Sequence, residues 1–186
     1  MFDRAVIRPC RPADIDTIYE IINDAASAYK NVIPSDCWHE PYMSRQELQR
    51  EIAQGVTFWA VAEGKHLVAV MGLQPVHDVA LIRHAYTRSA RQQRGHGAAL
   101  LAHFRERTDR PMLVGTWSAA TWAVRFYEKH GFHLVRPADK DRLLRRYWTV
   151  SPRQIEESIV LADSRWFATK INGVTPTPFV PTPSGP

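Results

Sequence analysis

The residues best suited to chemistry lie between positions 85 and 101, where an apolar stretch gives way to arginine and glycine. A strand is predicted to end near Thr87, and Gly95 and Gly97 open a helix that becomes apolar at Leu100. The first N–H groups of a helix have no partner within it, and the positive end of the helix dipole lies there. Four cations surround this turn: Arg83, Arg88, Arg91 and Arg94. The combination predicts a turn that holds a pyrophosphate.

Two other phosphate-binding loops do not fit this turn. A P-loop needs a lysine directly after its second glycine, and no lysine occurs between Lys65 and Lys129. A dinucleotide fingerprint needs a third glycine where this chain has Leu100, and an acidic residue about twenty positions on that is missing here. The pattern that remains is Gln92-x-x-Gly95-x-Gly97, which an ordinary glycine-rich turn between a strand and a helix would also explain.

A second motif lies further along the chain and joins a predicted helix to a predicted strand. It reads Phe126-Tyr127-Glu128-Lys129-His130-Gly131-Phe132. Ser118 is placed to cap the helix, and Gly131 stands where a left-handed C-cap is expected. In this order, the two motifs resemble the coenzyme-A loop and the helix-to-strand junction of the GNAT N-acetyltransferase superfamily. The resemblance covers residues 5–162.

The resemblance implies an α/β fold, with a mixed central sheet flanked by helices in the order β-α-α-β-β-β-α-β-α-β-β. Hydrophobic periodicity predicts helices at 14–25, 44–55, 95–107, 118–130 and 138–148. It predicts strands at 5–8, 57–62, 66–73, 79–87, 112–116 and 132–135, with 155–161 as an edge strand. Residues 1–163 are therefore expected to form the domain. Residues 164–186 are expected to form a disordered tail, because their Pro- and Thr-rich sequence opposes helix and central strand.

By this resemblance, the chain moves an acetyl group from acetyl-CoA to a primary amine of a small molecule by direct attack, without a metal. The pantetheine arm would lie along Ala85, Tyr86 and Thr87, where a backbone N–H faces the thioester oxygen. The pyrophosphate would be held, mainly by backbone N–H groups, at Gln92, Gln93, Arg94, Gly95, His96, Gly97 and Ala98. Gln93 replaces a frequent glycine, and His96 replaces a frequent aliphatic residue. A protein α-amine or lysine is the alternative acceptor, and a non-catalytic acyl-CoA sensor is the alternative function.

The reaction requires a neutral amine, a donor for the oxyanion and a proton for the departing thiolate. The resemblance assigns the proton to Tyr127, although a buried aromatic residue at a helix end is the alternative interpretation. Many family members carry Asn where this chain has Ala120, so one polar contact of the family is missing here.

The sequence leaves the general base open among His84, Asp78, His39 and Glu40, or ordered water without a side chain. Histidine is the most suitable side chain by type. However, strand alternation places His84 opposite Arg83 and Ala85, so it would point away from a site on their face.

The acceptor amine is expected beside the loop after the first helix, at Trp38, His39, Glu40 and Tyr42. The aromatic rings could line a pocket for an apolar or ring-bearing amine, and Glu40 could attract its ammonium group. Alternatively, Trp38 and Tyr42 only hold a long loop against the core.

Bulk properties limit the remaining function classes. The 186 residues are 45% hydrophobic, which is enough for one domain with a sizeable core. The net charge of +5 comes from scattered residues without a nucleic-acid module, so neither nucleic acid nor membrane is expected as a partner. Cys10 and Cys37 suit reduced thiols, and a cytoplasmic location is expected. Homodimerisation stays open.

Overall fold

The computed structural model describes residues 5–169. The chain divides into two compact units, Met1–Asp109 (unit 1) and Arg110–Pro186 (unit 2). The described residues form seven strands and seven α-helices. The fold is mixed α/β, with helices flanking a sheet, and this confirms the predicted class.

Unit 1 contributes four antiparallel strands in the spatial order β1-β2-β3-β4. These are β1 (Val6–Pro9), β2 (Thr57–Glu63), β3 (His66–Val76) and β4 (Val79–Thr87). Gly64 has a φ of 59°, which glycine adopts readily, and it closes the turn between β2 and β3. The predicted strands at 57–62 and 66–73 therefore form an antiparallel hairpin.

Three α-helices of unit 1 cover this sheet, namely α1 (Ile15–Ala26), α2 (Arg45–Ala53) and α3 (His96–Arg105). The Ser44 hydroxyl accepts a hydrogen bond of 3.1 Å from the Glu47 N–H, so Ser44 caps α2. One core cluster joins α1 and α2 to the strands through Ile18, Ile21, Ile22, Met43, Leu48, Phe58, Ala60 and Val70. This packing fixes α2 over β2, where its polar face can reach the end of β4.

Unit 2 contains three antiparallel strands in the order β5-β7-β6. They are β5 (Met112–Trp117), β6 (Phe132–Leu134) and β7 (Ser158–Asp163). Its helices are α4 (Thr121–Lys129), α5 (Pro137–Tyr147), α6 (Pro152–Glu157) and α7 (Ser164–Thr169). Gly131 has a φ of 77° directly after α4, which confirms the predicted left-handed end of that helix.

Three local predictions in unit 2 are wrong. Residues 155–157 are helical, because Ser151 and Gln154 form a capping box and Pro152 occupies the first position of α6. The following strand, β7, pairs with both β5 and β6 and is not an edge strand within unit 2. Ser118 caps no helix, since α4 begins at Thr121 and its N-cap Ala120 has no side-chain bond.

The chain continues as a helix beyond residue 163, where the tail was expected to begin. Trp166 of α7 is buried, so this part packs on the unit. The Pro- and Thr-rich stretch from 170 to 186 lies outside the described residues. Within residues 5–169, the helices are too short or too polar to cross a bilayer.

Candidate active site

The loop between β4 and α3 carries a row of backbone N–H groups at the start of the helix. Two of its residues adopt the left-handed conformation, Gln93 with a φ of 61° and Gly95 with a φ of 81°. The first helical N–H with a partner is that of Ala99, which donates to the Gly95 carbonyl at 3.0 Å. Among residues 5–169, no group accepts from the N–H of residues 95–98. The loop therefore has the unpaired donors that a phosphate group requires.

Three of the four arginines around this loop are already paired. Arg88 donates to the Leu67 carbonyl at 3.1 Å and lies 3.2 Å from the Glu20 carboxylate. Arg91 lies 3.2 Å from Glu63. Arg94 is exposed and has no ion-pair partner within the part of the chain that the structure describes.

Arg83 does not serve the loop, which corrects the expectation that four arginines surround a phosphate. Its guanidinium donates to Gln74 Oε1 and to Glu51 Oε1, both at 2.8 Å. Arg94 is therefore the arginine best placed to meet an anion at the loop.

His96 lies beneath the loop and is only 8% exposed. Its Nε2 is 3.4 Å from Glu63 Oε1, so a single carboxylate of β2 faces both Arg91 and His96. The side chain thus holds the start of α3 against the β2–β3 hairpin, while its backbone N–H stays with the other donors.

The strand β4 carries a bulge directly before the segment 85–87. Gly72 of β3 pairs with Arg83, but Val70 pairs with Tyr86, so β4 has one extra residue there. His84 lies in the bulge with a φ of 48°. A Cβ on Gly72 would lie 2.7 Å from Val56 Cγ1 and 3.1 Å from the Arg83 carbonyl oxygen. The close approach of β3 at this point therefore requires glycine.

The bulge overturns the prediction that His84 points away from its neighbour Arg83. Both side chains reach the same carboxylate, that of Glu51 on α2. His84 Nε2 bonds Glu51 Oε2, whereas Arg83 bonds Oε1. Strand alternation holds only in a regular strand, and the left-handed His84 interrupts it.

The environment of Glu51 keeps its carboxylate ionised. Burial would raise its pKa, but the hydrogen bond and charge of His84, together with Arg83, outweigh burial and lower the pKa below its ordinary value. The His84 ring stacks against Phe58 at 6.0 Å and Tyr86 at 6.4 Å between centroids. The sequence does not mark Glu51 as a site residue, because α2 is remote from β4 in sequence and the position of Glu51 in the helix is typical of a solvent-facing acid.

The four residues predicted to bind the acceptor lie in one aromatic loop. Trp38 stacks on Tyr42 at 5.6 Å, and the His39 and Tyr42 rings are 6.1 Å apart. Glu40 is highly exposed and lies 3.3 Å from Lys30, so its charge is partly compensated. Asp78, the remaining candidate base, is exposed in the turn between β3 and β4.

Three tyrosine hydroxyls connect this loop to β4. Tyr86 is hydrogen-bonded to Tyr29 and Tyr42, and burial, followed by those two neighbours, raises its pKa well above the ordinary value. The Tyr29 ring is 5.4 Å from that of Tyr42 and 6.4 Å from that of Tyr86. The aromatic loop is therefore held beside Tyr86 of β4.

Tyr127 belongs to unit 2 and is only 4% exposed. Its ring makes edge contacts with Phe126 at 5.1 Å and Phe132 at 5.5 Å. Ala120, in place of the family's frequent Asn, is the fully buried N-cap residue of α4. Both the aromatic-packing and the proton-donor interpretations of Tyr127 are compatible with this position.

Comparisons with known proteins agree with the two sequence motifs. Residues 19–145 match the family described as acetyltransferase (GNAT) domain. No curated protein matches the chain significantly. Among solved structures, the PaiA N-acetyltransferase of Thermoplasma acidophilum in complex with coenzyme A is similar, with a TM-score of 0.65 and 16% identity over 86% of this chain and 98% of that one. The ribosomal-protein-S18-alanine N-acetyltransferase of Escherichia coli has a TM-score of 0.60 and 17% identity, covering 86% and 93% of the two chains.

Proposed function

Because this chain belongs to the GNAT acetyltransferase family, we propose that it transfers an acetyl group from acetyl-CoA to a primary amine of a small molecule. The supporting observation is the row of unpaired N–H groups at residues 95–98, at the N-terminus of α3. Such a row suits the pyrophosphate of coenzyme A. The solved Thermoplasma relative carries coenzyme A.

The loop would hold the cosubstrate through backbone rather than side chains. Residues 92–98 would surround the pyrophosphate, and Arg94 would add a positive charge that no acid of the described chain compensates. The segment 85–87 would bind the pantetheine arm with its backbone and direct an N–H at the thioester oxygen. An N–H placed there would stabilise the oxyanion as it forms.

In the proposed reaction, the neutral amine attacks the thioester carbonyl carbon, a C–N bond forms and the C–S bond breaks. Tyr127 would supply the proton for the departing thiolate, as the resemblance implies. Its ring is buried and packs against Phe126 and Phe132. The alternatives for the base remain His84, Asp78, His39, Glu40 and water.

We favour a small-molecule acceptor because the aromatic loop offers Trp38, Tyr42 and Tyr29 rings next to β4. Rings of this kind bind apolar and ring-bearing amines. The alternative is a protein α-amine, since a similar structure belongs to an enzyme named for ribosomal-protein-S18-alanine acetylation. Within the described residues, Cys10 and Cys37 form no disulfide, which fits the cytoplasmic location that we propose.

Calorimetric titration of the purified chain with acetyl-CoA, NADH and ATP tests the cosubstrate. Micromolar binding of acetyl-CoA alone is the expected result, followed by thiol release when amines are added. Tight binding of NADH or ATP instead, or no binding at all, would exclude the proposed enzyme.

Tyr127→Phe tests the proton donor. We expect kcat to fall about 100-fold, in the range typical of a lost acid catalyst, while the Kd for acetyl-CoA stays the same. Phe126→Leu is the matched control for aromatic packing, because it changes the neighbouring ring without removing a hydroxyl. Undiminished turnover in Tyr127→Phe would show that the thiolate takes its proton elsewhere.

A further inference from the structure

The geometry of the β4 bulge points to a carboxylate–imidazole pair in which His84 is the general base and Glu51 is its positioning residue. This inference rests on the proposed function, and it selects one of the base candidates that the sequence left open. Glu51 acts through His84 and does not touch the substrate.

The hydrogen bond between the two residues decides which imidazole nitrogen can accept a proton. An ionised carboxylate can only accept hydrogen bonds, so His84 Nε2, which bonds Glu51 Oε2, must carry the hydrogen. In a neutral imidazole, the other nitrogen then has a free lone pair. Among residues 5–169, His84 Nδ1 has no hydrogen-bond partner. The carboxylate therefore fixes the imidazole tautomer, as it does in catalytic acid–histidine pairs, and leaves Nδ1 as the nitrogen that can accept a proton.

The carboxylate itself is held in place from both sides. Arg83 donates to its second oxygen at 2.8 Å, and Gln74 anchors Arg83 at the same distance. The side chains of Glu51, His84 and Arg83 are 15%, 13% and 18% exposed, so water competes little for these bonds. A rigid carboxylate restricts the imidazole to one orientation.

The strained backbone conformation at His84 directs its side chain toward Glu51. A left-handed conformation is unfavourable for residues other than glycine, yet histidine occupies this position with a φ of 48°. Bulges re-aim side chains and are common next to active sites. This bulge turns His84 onto Glu51 immediately before the segment 85–87, where the proposed thioester lies.

The proton balance of the proposed step closes without a further reactant. His84 Nδ1 takes one proton from the acceptor ammonium, and the neutral amine then attacks the thioester carbon. The amine's second proton replaces the one that Tyr127 gives to the thiolate. His84 releases its proton to solvent, so each turnover yields amide, free thiol and one proton.

The groups that face His84 determine how the step depends on pH. They are Glu51 from α2, Arg83 and Tyr86 from β4, and the uncharged Phe58 from β2. Glu51 keeps its charge through the neutral range, because its pKa lies below the ordinary value. Consequently, protonation of the imidazole is the change that would switch the base off as the pH falls.

The test measures kcat/KM for acetyl transfer to 2-phenylethylamine between pH 6 and pH 10 by thiol release. If the wild type does not acetylate this amine, the best acceptor from an amine panel replaces it. We expect His84→Gln to lose about 100-fold or more at pH 7 and to lose the acidic limb of the pH profile. Its activity should instead rise with the fraction of neutral amine, whose pKa is near ~10.

Glu51→Gln should lose about 10-fold or more, the range for a group that orients another, and Glu51→Asp should restore part of the loss. Glu47→Gln makes the same change one turn earlier on α2 and should retain wild-type activity. Acetyl-CoA affinity and thermal unfolding, measured for every variant, show whether each one is folded. NMR of the imidazole nitrogens should show hydrogen on Nε2 of His84 in the wild type.

Unchanged kcat/KM and an unchanged pH profile in His84→Gln would overturn the pair, as would hydrogen on Nδ1 of His84. Acetyl-CoA binding without turnover of any amine, or failure to bind acetyl-CoA, would overturn the proposed function together with the pair. An active wild type with an unchanged His84→Gln variant would overturn the pair alone, which separates the two results.

Discussion

The β4 bulge and the loop that opens α3 present different kinds of chemical group, and these two regions are the two ends compared below. At the bulge, β4 presents the His84 side chain to a half-buried carboxylate. At the loop that opens α3, the chain presents backbone N–H groups, and its side chains are mostly exposed or paired elsewhere. A backbone site depends on where the chain lies and on how closely a ligand can approach it. A side-chain site depends on the identity of one residue and on the contacts that orient it.

The largest effect is expected for a substitution in the loop that opens α3, where backbone N–H groups would bind the ligand. Gly97→Val should weaken acetyl-CoA binding about 100-fold or more, because a branched side chain would intrude where the phosphate must approach the N–H groups of residues 95–98. Calorimetric titration of the folded variant measures the change.

Ala99→Val is its matched control. The Ala99 N–H already donates to the Gly95 carbonyl, and its exposed side chain follows the four free donors. Helix propensity should cost this variant under about 1 kcal/mol of unfolding free energy, and its acetyl-CoA affinity should stay near that of the wild type. Equal losses in the two variants would move the phosphate away from this turn.

The next prediction concerns the β4 bulge, and its expected effect is smaller. Gly72→Ala should lower the unfolding free energy by about 1–3 kcal/mol, the usual cost of overpacking. The added Cβ would lie 2.7 Å from Val56 Cγ1, and a β-branched valine has little freedom to move aside. Because Gly72 lies against Arg83, the acetyl-transfer rate should fall as well.

Gly115→Ala in β5 provides the comparison for Gly72→Ala. The nearest atoms to its added Cβ would be 3.5 Å away, which is ordinary contact. Denaturant unfolding should therefore show Gly115→Ala to be within about 1 kcal/mol of the wild type, in either direction. A Gly72→Ala protein as stable as Gly115→Ala would show that β3 does not constrain the bulge.

The same contrast explains which features the sequence revealed. The loop could be predicted because its signals are local: glycine spacing, the end of a strand and the start of an apolar helix face all lie within residues 85–101. The hairpin at Gly64 and the left-handed Gly131 were predictable for the same reason.

The bulge was not predictable, because a period-two pattern assumes a regular strand and nothing in the segment 83–87 signals the extra residue. Glu51 was missed for a related reason, since its partners lie in a strand far along the sequence. Residues 155–157 belong to a helix but were predicted as strand, because they lead directly into the apolar sequence of β7. Tertiary pairing, rather than local propensity, decides these positions.

The smallest effect is expected for Gln93→Gly. It is compared with His84→Gly, because the two residues have the same backbone conformation. Gln93 and His84 both have a left-handed φ, at 61° and 48°. Gln93→Gly should change the unfolding free energy by no more than about 1 kcal/mol, because relief of the left-handed conformation is offset by greater freedom of the unfolded chain. Its acetyl-CoA affinity should stay within about twofold of the wild type, since the backbone donors remain. His84→Gly relieves similar strain but should abolish most turnover. If the two variants kept or lost activity together, backbone shape alone would govern both ends of the segment, and the distinction between them would fail.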